Sequence, residues 1–333
     1  MSGGWLLLCF LASGAAVWAL GVALAKSADV IAERTRIGSV WIGTVLLAGA
    51  TSLPELGTSI SAVSLDAANL AVGNLFGSSM ANMLILAVVD LMLRRQRMLS
   101  RVAFDHALAA SLAIALNALA AVFLVVGSDL AVLRIAPGSL LVFGAYLAGT
   151  RVLYRNSLRG GTPAAGRDDA DASAPSLRRA GRLFALAALG LIAVAPVFAW
   201  SAHGVAVVSG LGDTFVGTWA VGLSTSLPEL VTSLAAVRRG AFDLAVGNLF
   251  GSNAVNMALF LPLDLVSAGS VFHGLDTAHA ASALLAVLLM ALSLAAILYR
   301  AERRFGMIEP DSALVLLAYL VGLWLLYQHG AAR

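Results

Sequence analysis

Thr51-Ser52-Leu53-Pro54-Glu55 and, further on, Gly73-Asn74-Leu75-Phe76-Gly77-Ser78-Ser79-Met80-Ala81-Asn82 put a carboxylate and a row of small polar side chains into the otherwise apolar stretch 43–92. The same text returns over 217–266 at a constant offset of 174 residues, so Glu55 matches Glu229, Ser78 matches Ser252 and Asn82 matches Asn256. The two stretches agree at 26 of 50 positions without a gap. Shared apolar composition alone does not preserve a Pro-Glu pair and an Asn-x-x-x-Ser-x-x-x-Asn spacing twice. The chain therefore contains an internal duplication.

Composition identifies the solvent in which the duplication lives. Hydrophobic residues make up 60% of the chain and charged residues 12%, against roughly 45–50% and about 25% in soluble domains. The chain reads as an integral membrane protein whose surroundings are a lipid bilayer. Its formal charge of +3 does not point to nucleic acid, because the arginines fall between apolar runs and form no single basic face. The single cysteine, Cys9, excludes an internal disulfide. Met1–Trp5 lacks the basic segment of a secretory signal, and the apolar run that follows is long enough to span a core of about 30 Å, so it is expected to be a retained helix. Nothing in the sequence calls for an obligatory protein partner or a cofactor.

Ten apolar runs follow one another: Gly4–Ala25, Val40–Val63, Leu70–Leu93, Ala103–Val126, Leu130–Leu153, Leu183–Ala202, Phe215–Val237, Leu244–Val266, Ala278–Leu298 and Ala313–Tyr327. The expected fold is thus all-α, with ten transmembrane helices. Residues 1–154 form a first five-helix repeat carrying motif 43–92, and residues 183–333 a second carrying motif 217–266. The hydrophilic segment 155–182 joins them. Because five is odd, the second repeat enters the membrane from the opposite side, and the repeats are inverted. Alternate inter-span segments hold 19 of the 21 basic residues, leaving only Arg134 and Arg333 on the other face. The positive-inside rule then makes the linker cytoplasmic and puts both termini outside a bacterial-type inner membrane.

Glu55 and Glu229 sit well inside apolar spans, where an ionisable group facing lipid costs at least about 2.5–3.5 kcal/mol. Each is expected to face a partner, a cavity or an ion. Pro54 has no N–H to give the carbonyl of Ala50 and its ring opens that turn, so carbonyls around Ala50 and Thr51 lose helical partners; Pro228 does the same around Ser224 and Thr225. Free carbonyl oxygens beside a carboxylate make a cation site. Broken helices at paired positions of inverted repeats are the usual place for the substrate of a secondary transporter.

Asn74, Ser78 and Asn82 are spaced i, i+4, i+8, as are Asn248, Ser252 and Asn256, so each set forms one polar stripe expected to face its glutamate. Gly73, Gly77, Gly247 and Gly251 have the spacing of close helix packing, and packing is their expected role. For Ser78, Asn82, Ser252 and Asn256, ion coordination is the better use of polar groups in hydrocarbon. A cluster of hard oxygens without Cys or His favours Ca2+, Na+ or a similar ion over zinc or copper. The five histidines lie near span ends or in loops and are expected to be interfacial or solvated, not ligands; Asp66, Asp90, Asp129, Asp243 and Asp264 also lie near the ends of runs and are expected to be solvated.

Thr-Ser-Leu-Pro-Glu followed by Gly-Asn-Leu-Phe-Gly-Ser, present twice in inverted five-helix halves, resembles the α-1 and α-2 repeats of the sodium/calcium exchangers, within the calcium/cation antiporter superfamily. The resemblance implies that Glu55 and Glu229 bind Ca2+ together with the backbone carbonyls of Thr51 and Thr225. It implies that Ser52, Ser226, Ser78, Ser252, Asn82 and Asn256 help form overlapping Na+ sites. It also implies that the first and sixth helices slide as a pair across the core. Two departures stand out. Both stripe ends are amides where the family often has Asp at one, and Ser79 stands where the second repeat has Asn253. Fixed charge in the site is then the two glutamates alone.

The expected activity is exchange of Ca2+ for Na+ by alternating access, with both ions as transported substrates and no enzymatic reaction. A proton-coupled cation exchanger is the alternative within transport; a cation channel and a membrane scaffold are those outside it. A channel needs a continuous polar path, whereas these polar residues cluster at mid-span. A scaffold has no need of paired intramembrane carboxylates.

Overall fold

The computed structural model describes residues 3–35, 37–65, 67–92, 106–126, 135–159, 176–208, 225–267, 270–272, 275, 278–299 and 310–331. These form α1 (Gly3–Thr35), α2 (Ser39–Trp41), the π-helix π1 (Ile42–Leu47), α3 (Ala48–Thr51), α4 (Leu53–Ser64), α5 (Ala68–Met92), α6 (His106–Val126), α7 (Pro137–Arg159) and α8 (Leu177–Val208). Then come α9 (Leu227–Arg238), α10 (Phe242–Ala258), α11 (Phe260–Val266), α12 (Ala278–Tyr299) and α13 (Pro310–Ala331). Over their described residues the ten apolar runs are helical except at Ser52, Ile135, Ala136, Ser226 and Leu259. Residues 215–224 of the seventh run, residues 160–175 of the linker, Asp66, Asp129, and the basic positions Arg94–Arg101, Arg134 and Arg300–Arg304 lie outside the described residues.

The protein is an all-helical membrane protein. Among the described residues six helical segments are long and apolar enough to cross a bilayer, and 39–64 makes a seventh if its two parts, bent by 41°, count as one crossing. Large apolar side chains face outward where lipid would lie, including Trp5, Leu8 and Leu11 on α1, Leu186 and Leu189 on α8, and Leu317 and Trp324 on α13. The centre is α5 with α10 and α11. Their most apolar windows are 72% and 78% buried, against 22% for α1. Phe76, Phe250 and Phe260 fill the space between them and are fully enclosed.

Around that centre the packing is paired. Helices α1 and α8 make the most extensive contact in the molecule; α1 also lies on α9, and α8 on α4. Helices α6 and α12 pack on each other, the first covering α10 and the second α5. Helix α1 runs past its expected end at Ala25 to Thr35, because charged residues from Lys26 onward end the apolar run but not the helical periodicity: Ala28, Ile31 and Ala32 keep a buried face. Arg239, just beyond α9, returns to that extension and donates from Nε and Nη2 to Asp29 Oδ2 at 3.0 and 2.8 Å.

The hairpin between α9 and α10 closes on Gly240, whose φ of +78° suits glycine. Ala241 N–H reaches Ala236 O at 3.0 Å and Gly240 N–H reaches Val237 O at 2.9 Å, a Schellman cap. That cap sets the turn that lays α10 back along α9. In the first half, Ala67 N–H to Ala62 O at 2.9 Å is the corresponding long bond.

Candidate ion-binding site

Each Leu-Pro-Glu begins a new helix after a one-residue break. Ser52 (φ −85°, ψ 4°) separates α3 from α4, and Ser226 has the same dihedrals within a degree (φ −84°, ψ 4°) ahead of α9. The prolines fall in the first turn, where a missing N–H costs no helical bond. The chain resumes with Leu56 N–H on Ser52 O and Leu230 N–H on Ser226 O, both at 3.1 Å. Glu55 and Glu229 thus stand in the first turns of two short helices, fully buried.

Upstream of the first break the chain is wider than expected. Residues Ile42–Leu47 form a π-helix, with Ala48 N–H bonding back to Gly43 O. This segment lies backbone to backbone on α10: a Cβ on Gly43 would sit 2.7 Å from Leu244 O, one on Gly247 3.0 Å from Val40 O, and one on Gly251 would run into Thr44 O and the Ala48 methyl. Packing is thus the role of Gly247 and Gly251, as expected. The residues equivalent to π1 for Gly73 and Gly77 lie outside the described ones.

The close approach brings the first break against the second repeat. Thr51 Oγ1 donates to Asn248 Oδ1 at 3.2 Å and lies 3.4 Å from Ser252 Oγ. The reciprocal contacts hold on the other side, with Thr225 Oγ1 donating to Asn74 Oδ1 at 3.3 Å and lying 3.4 Å from Ser78 Oγ. Ser252 Oγ donates to Glu229 Oε1 at 3.4 Å. Glu55 has the Ser78 hydroxyl beside it and Glu229 as a neighbouring acidic group in the same buried site. Each stripe therefore meets its own glutamate and the opposite threonine.

All ten expected site residues, Thr51, Ser52, Glu55, Ser78, Asn82, Thr225, Ser226, Glu229, Ser252 and Asn256, are buried. The stripe ends turn their NH2 groups away, Asn82 Nδ2 to Asn253 Oδ1 at 2.9 Å and Asn256 Nδ2 to Leu75 O at 3.4 Å. Three pairs of buried oxygens have no partner at full hydrogen-bond geometry, Oε2 of Glu55 and Glu229, Oγ of Ser52 and Ser226, and Oδ1 of Asn82 and Asn256, although the Ser52 and Thr51 hydroxyls lie beside the Glu229 carboxyl. A buried acceptor left unpaired costs several kcal/mol in an apolar medium (order of magnitude). Six such oxygens, two of them on carboxyl groups, form an all-oxygen donor set of the kind that hard cations take.

Other polar residues the sequence reading passed over belong to the same network. Asn74 Nδ2 donates to Ser59 Oγ at 3.1 Å, and Asn248 Nδ2 to Thr232 Oγ1 and Ser233 Oγ at 3.0 and 3.2 Å. Ser59 and Ser233 follow their glutamates at i+4 and are identical between the repeats, which is the signal that marks them. Asn117 on α6, which has no polar twin, donates from Nδ2 to Ala113 O and Asn253 O at 2.9 and 3.4 Å.

Three of the groups expected to be solvated are not. Asp264 is buried and accepts the main-chain N–H groups of Val271 and Ala136 at 2.7 and 2.8 Å. Its twin Asp90 is buried too, with Ser312 Oγ donating to it at 2.6 Å. His106 is enclosed at the start of α6, its Nε2 3.1 Å from Asp243 Oδ1, and in the mirrored place His279 Nε2 meets Asn69 Oδ1 at 3.0 Å. Proximity to a span end had implied water, but loops and neighbouring helices cover these positions.

The family model described as sodium/calcium exchanger protein matches residues 5–153 and 181–328. The inner membrane protein YrbG of Escherichia coli (strain K12) is 30% identical over 258 residues, covering 74% of this chain and 76% of that protein. The sodium/calcium exchanger MaX1 of Methanosarcina acetivorans is 36% identical over 90 residues, which is 27% of this chain and 24% of that one. The fold is that of the sodium-calcium exchanger NCX_Mj: a structure of it soaked with 100 mM Na+ and 10 mM Sr2+ superposes with a TM-score of 0.73 at 22% identity, covering 97% of this chain and 98% of that chain.

Proposed function

This chain belongs to the sodium/calcium exchanger family and is a multi-pass membrane protein of cation exchange, and we propose that it is a secondary antiporter moving Ca2+ in exchange for Na+ by alternating access. One observation carries the reading: the three mirrored pairs of unpartnered buried oxygens on Glu55/Glu229, Ser52/Ser226 and Asn82/Asn256. Oxygens without Cys or His suit Ca2+, which takes about 6–8 of them, and Na+. The carbonyls of Thr51 and Thr225, at the breaks, and the hydroxyls of Ser78 and Ser252 complete the donor set.

In this reading the chain crosses the membrane ten times, as two inverted five-helix repeats (1–154 and 183–333) joined by a cytoplasmic linker (155–182), with both termini outside. The reciprocal contacts of Thr51 and Thr225 support a two-fold relation between the repeats, and the basic residues support the orientation. The mutually packed α1 and α8, resting on the two glutamate-bearing helices, are the pair that slides. Exchange follows because a loaded site crosses while two bare carboxylates in low dielectric are costly to enclose. Both ions are cargo.

The test is Ca2+ uptake into proteoliposomes driven by an outward Na+ gradient. Uptake that requires the Na+ gradient supports the reading. Uptake driven by a pH gradient and indifferent to Na+ makes the protein a proton-coupled exchanger, and Ca2+ flux without counter-ion makes it a channel.

A further inference from the structure

The two stripe ends, Asn82 and Asn256, are identical in sequence but held by different devices. Asn256 gives its NH2 to the main-chain carbonyl of Leu75. A carbonyl can only accept, so backbone alone keeps the Asn256 oxygen free. Two-fold symmetry would have Asn82 bond Leu249 O. It bonds instead to a side chain, the Oδ1 of Asn253, at 2.9 Å. Asn253 is itself fully buried, and its main-chain carbonyl is tied to α6 through Asn117 Nδ2. Its twin, Ser79, turns back on its own helix and donates to Leu75 O at 3.0 Å.

We propose that Asn253, backed by Asn117, is a positioning residue that orients the Asn82 amide so that its oxygen, and not its NH2, faces the transported ion. The inference rests on the assignment of Asn82 to the ion site. An amide is two-faced: its Oδ1 attracts a cation and its Nδ2 hydrogens repel one. In a neutral stripe end, orientation decides between ligand and obstacle. With its NH2 committed to Asn253, Asn82 keeps an unpartnered buried Oδ1. The stripe end of the first repeat thus depends on a side chain at the one polar position within Gly73–Asn82 where the repeats differ, Ser79 against Asn253. The site is asymmetric in its supports although symmetric in its ligands.

The experiment measures Na+ half-saturation of Na+-dependent 45Ca2+ exchange with the purified full-length protein in proteoliposomes. Asn253→Ser, which installs the residue of the equivalent position, is expected to raise it about tenfold, the scale of one lost hydrogen bond. Asn253→Leu, which keeps the branched heavy-atom skeleton of Asn but has no acceptor, is expected to do the same. The control separates positioning from packing. In an Asn82→Asp background the side chain has no NH2 to orient, so adding either change is expected to leave half-saturation within about twofold, whereas a packing defect would act equally in both backgrounds. An unchanged half-saturation in Asn253→Ser, or an equal rise in both backgrounds, overturns the proposal. If Asn82→Ala itself leaves Na+ dependence intact, the assignment of Asn82 to the site fails instead.

Discussion

Thr51 on the first broken helix donates to Asn248 of the second repeat at 3.2 Å, across 197 residues of chain. With its mirror image, Thr225 on Asn74, it makes the site a joint product of both halves. Each repeat supplies a glutamate to its own side and a threonine to the other. A change at one break is therefore felt by the opposite stripe.

Glu55→Gln and Glu229→Gln preserve shape and hydrogen bonding but remove half of the fixed charge that balances a divalent ion. Each is expected to lower Na+-dependent Ca2+ exchange by about a hundredfold or more while the purified protein stays monodisperse in detergent. Exchange at the wild-type rate in either variant would remove the glutamates from the site.

Asp264→Ala strips two loop amides, those of Ala136 and Val271, of their acceptor at a position with no access to water. The expected cost is about 2–6 kcal/mol, from roughly 1–3 kcal/mol for each of the two unsatisfied groups. Thermal unfolding in detergent checks this, and an unchanged transition temperature in Asp264→Ala would contradict the structural role given to Asp264.

Gly251→Leu drives a side chain into the Thr44 carbonyl and the Ala48 methyl, so it should separate π1 from α10 and abolish folding. Gly181→Ala is the control. At this exposed helical position a Cβ meets nothing within 4 Å among the described residues, and the change is expected to stabilise by about 0.5–1 kcal/mol. Expression and melting temperature of the two variants read the difference.

Single cysteines placed at Arg159 and at Gly330, with Cys9 removed, are expected to react with an impermeant thiol reagent from opposite sides of the membrane. Reaction of both from one side would rule out ten crossings with an odd number per repeat.

The duplication was legible because the Pro-Glu pair and the polar stripe recur at a fixed offset, and the breaks at Ser52 and Ser226 were legible because proline two residues later admits few alternatives. The π-helix was not. It packs on Gly247 and Gly251, some 200 residues away, whose bare backbone leaves room for the close approach of π1. Burial of Asp90, Asp264 and His106 was hidden for a similar reason: their partners Ser312, Ala136 and Asp243 come from elements distant in the chain. The Asp90–Asp264 identity was nonetheless a visible sign, since solvated loop carboxylates have no reason to recur at the same register.

The crosswise pairing of threonines and asparagines also sets a schedule for biosynthesis. The first repeat leaves the ribosome 174 residues ahead of the second, a lead of about 9–35 s at roughly 5–20 residues per second. During that interval Asn74, Ser78 and Glu55 are in the bilayer without the Thr225 segment that caps them. The nascent first half is therefore an unfinished polar surface in lipid, one that membrane chaperones and proteases can recognise until its counterpart arrives. Expressed as two separate fragments, the halves should be degraded singly and rescued together.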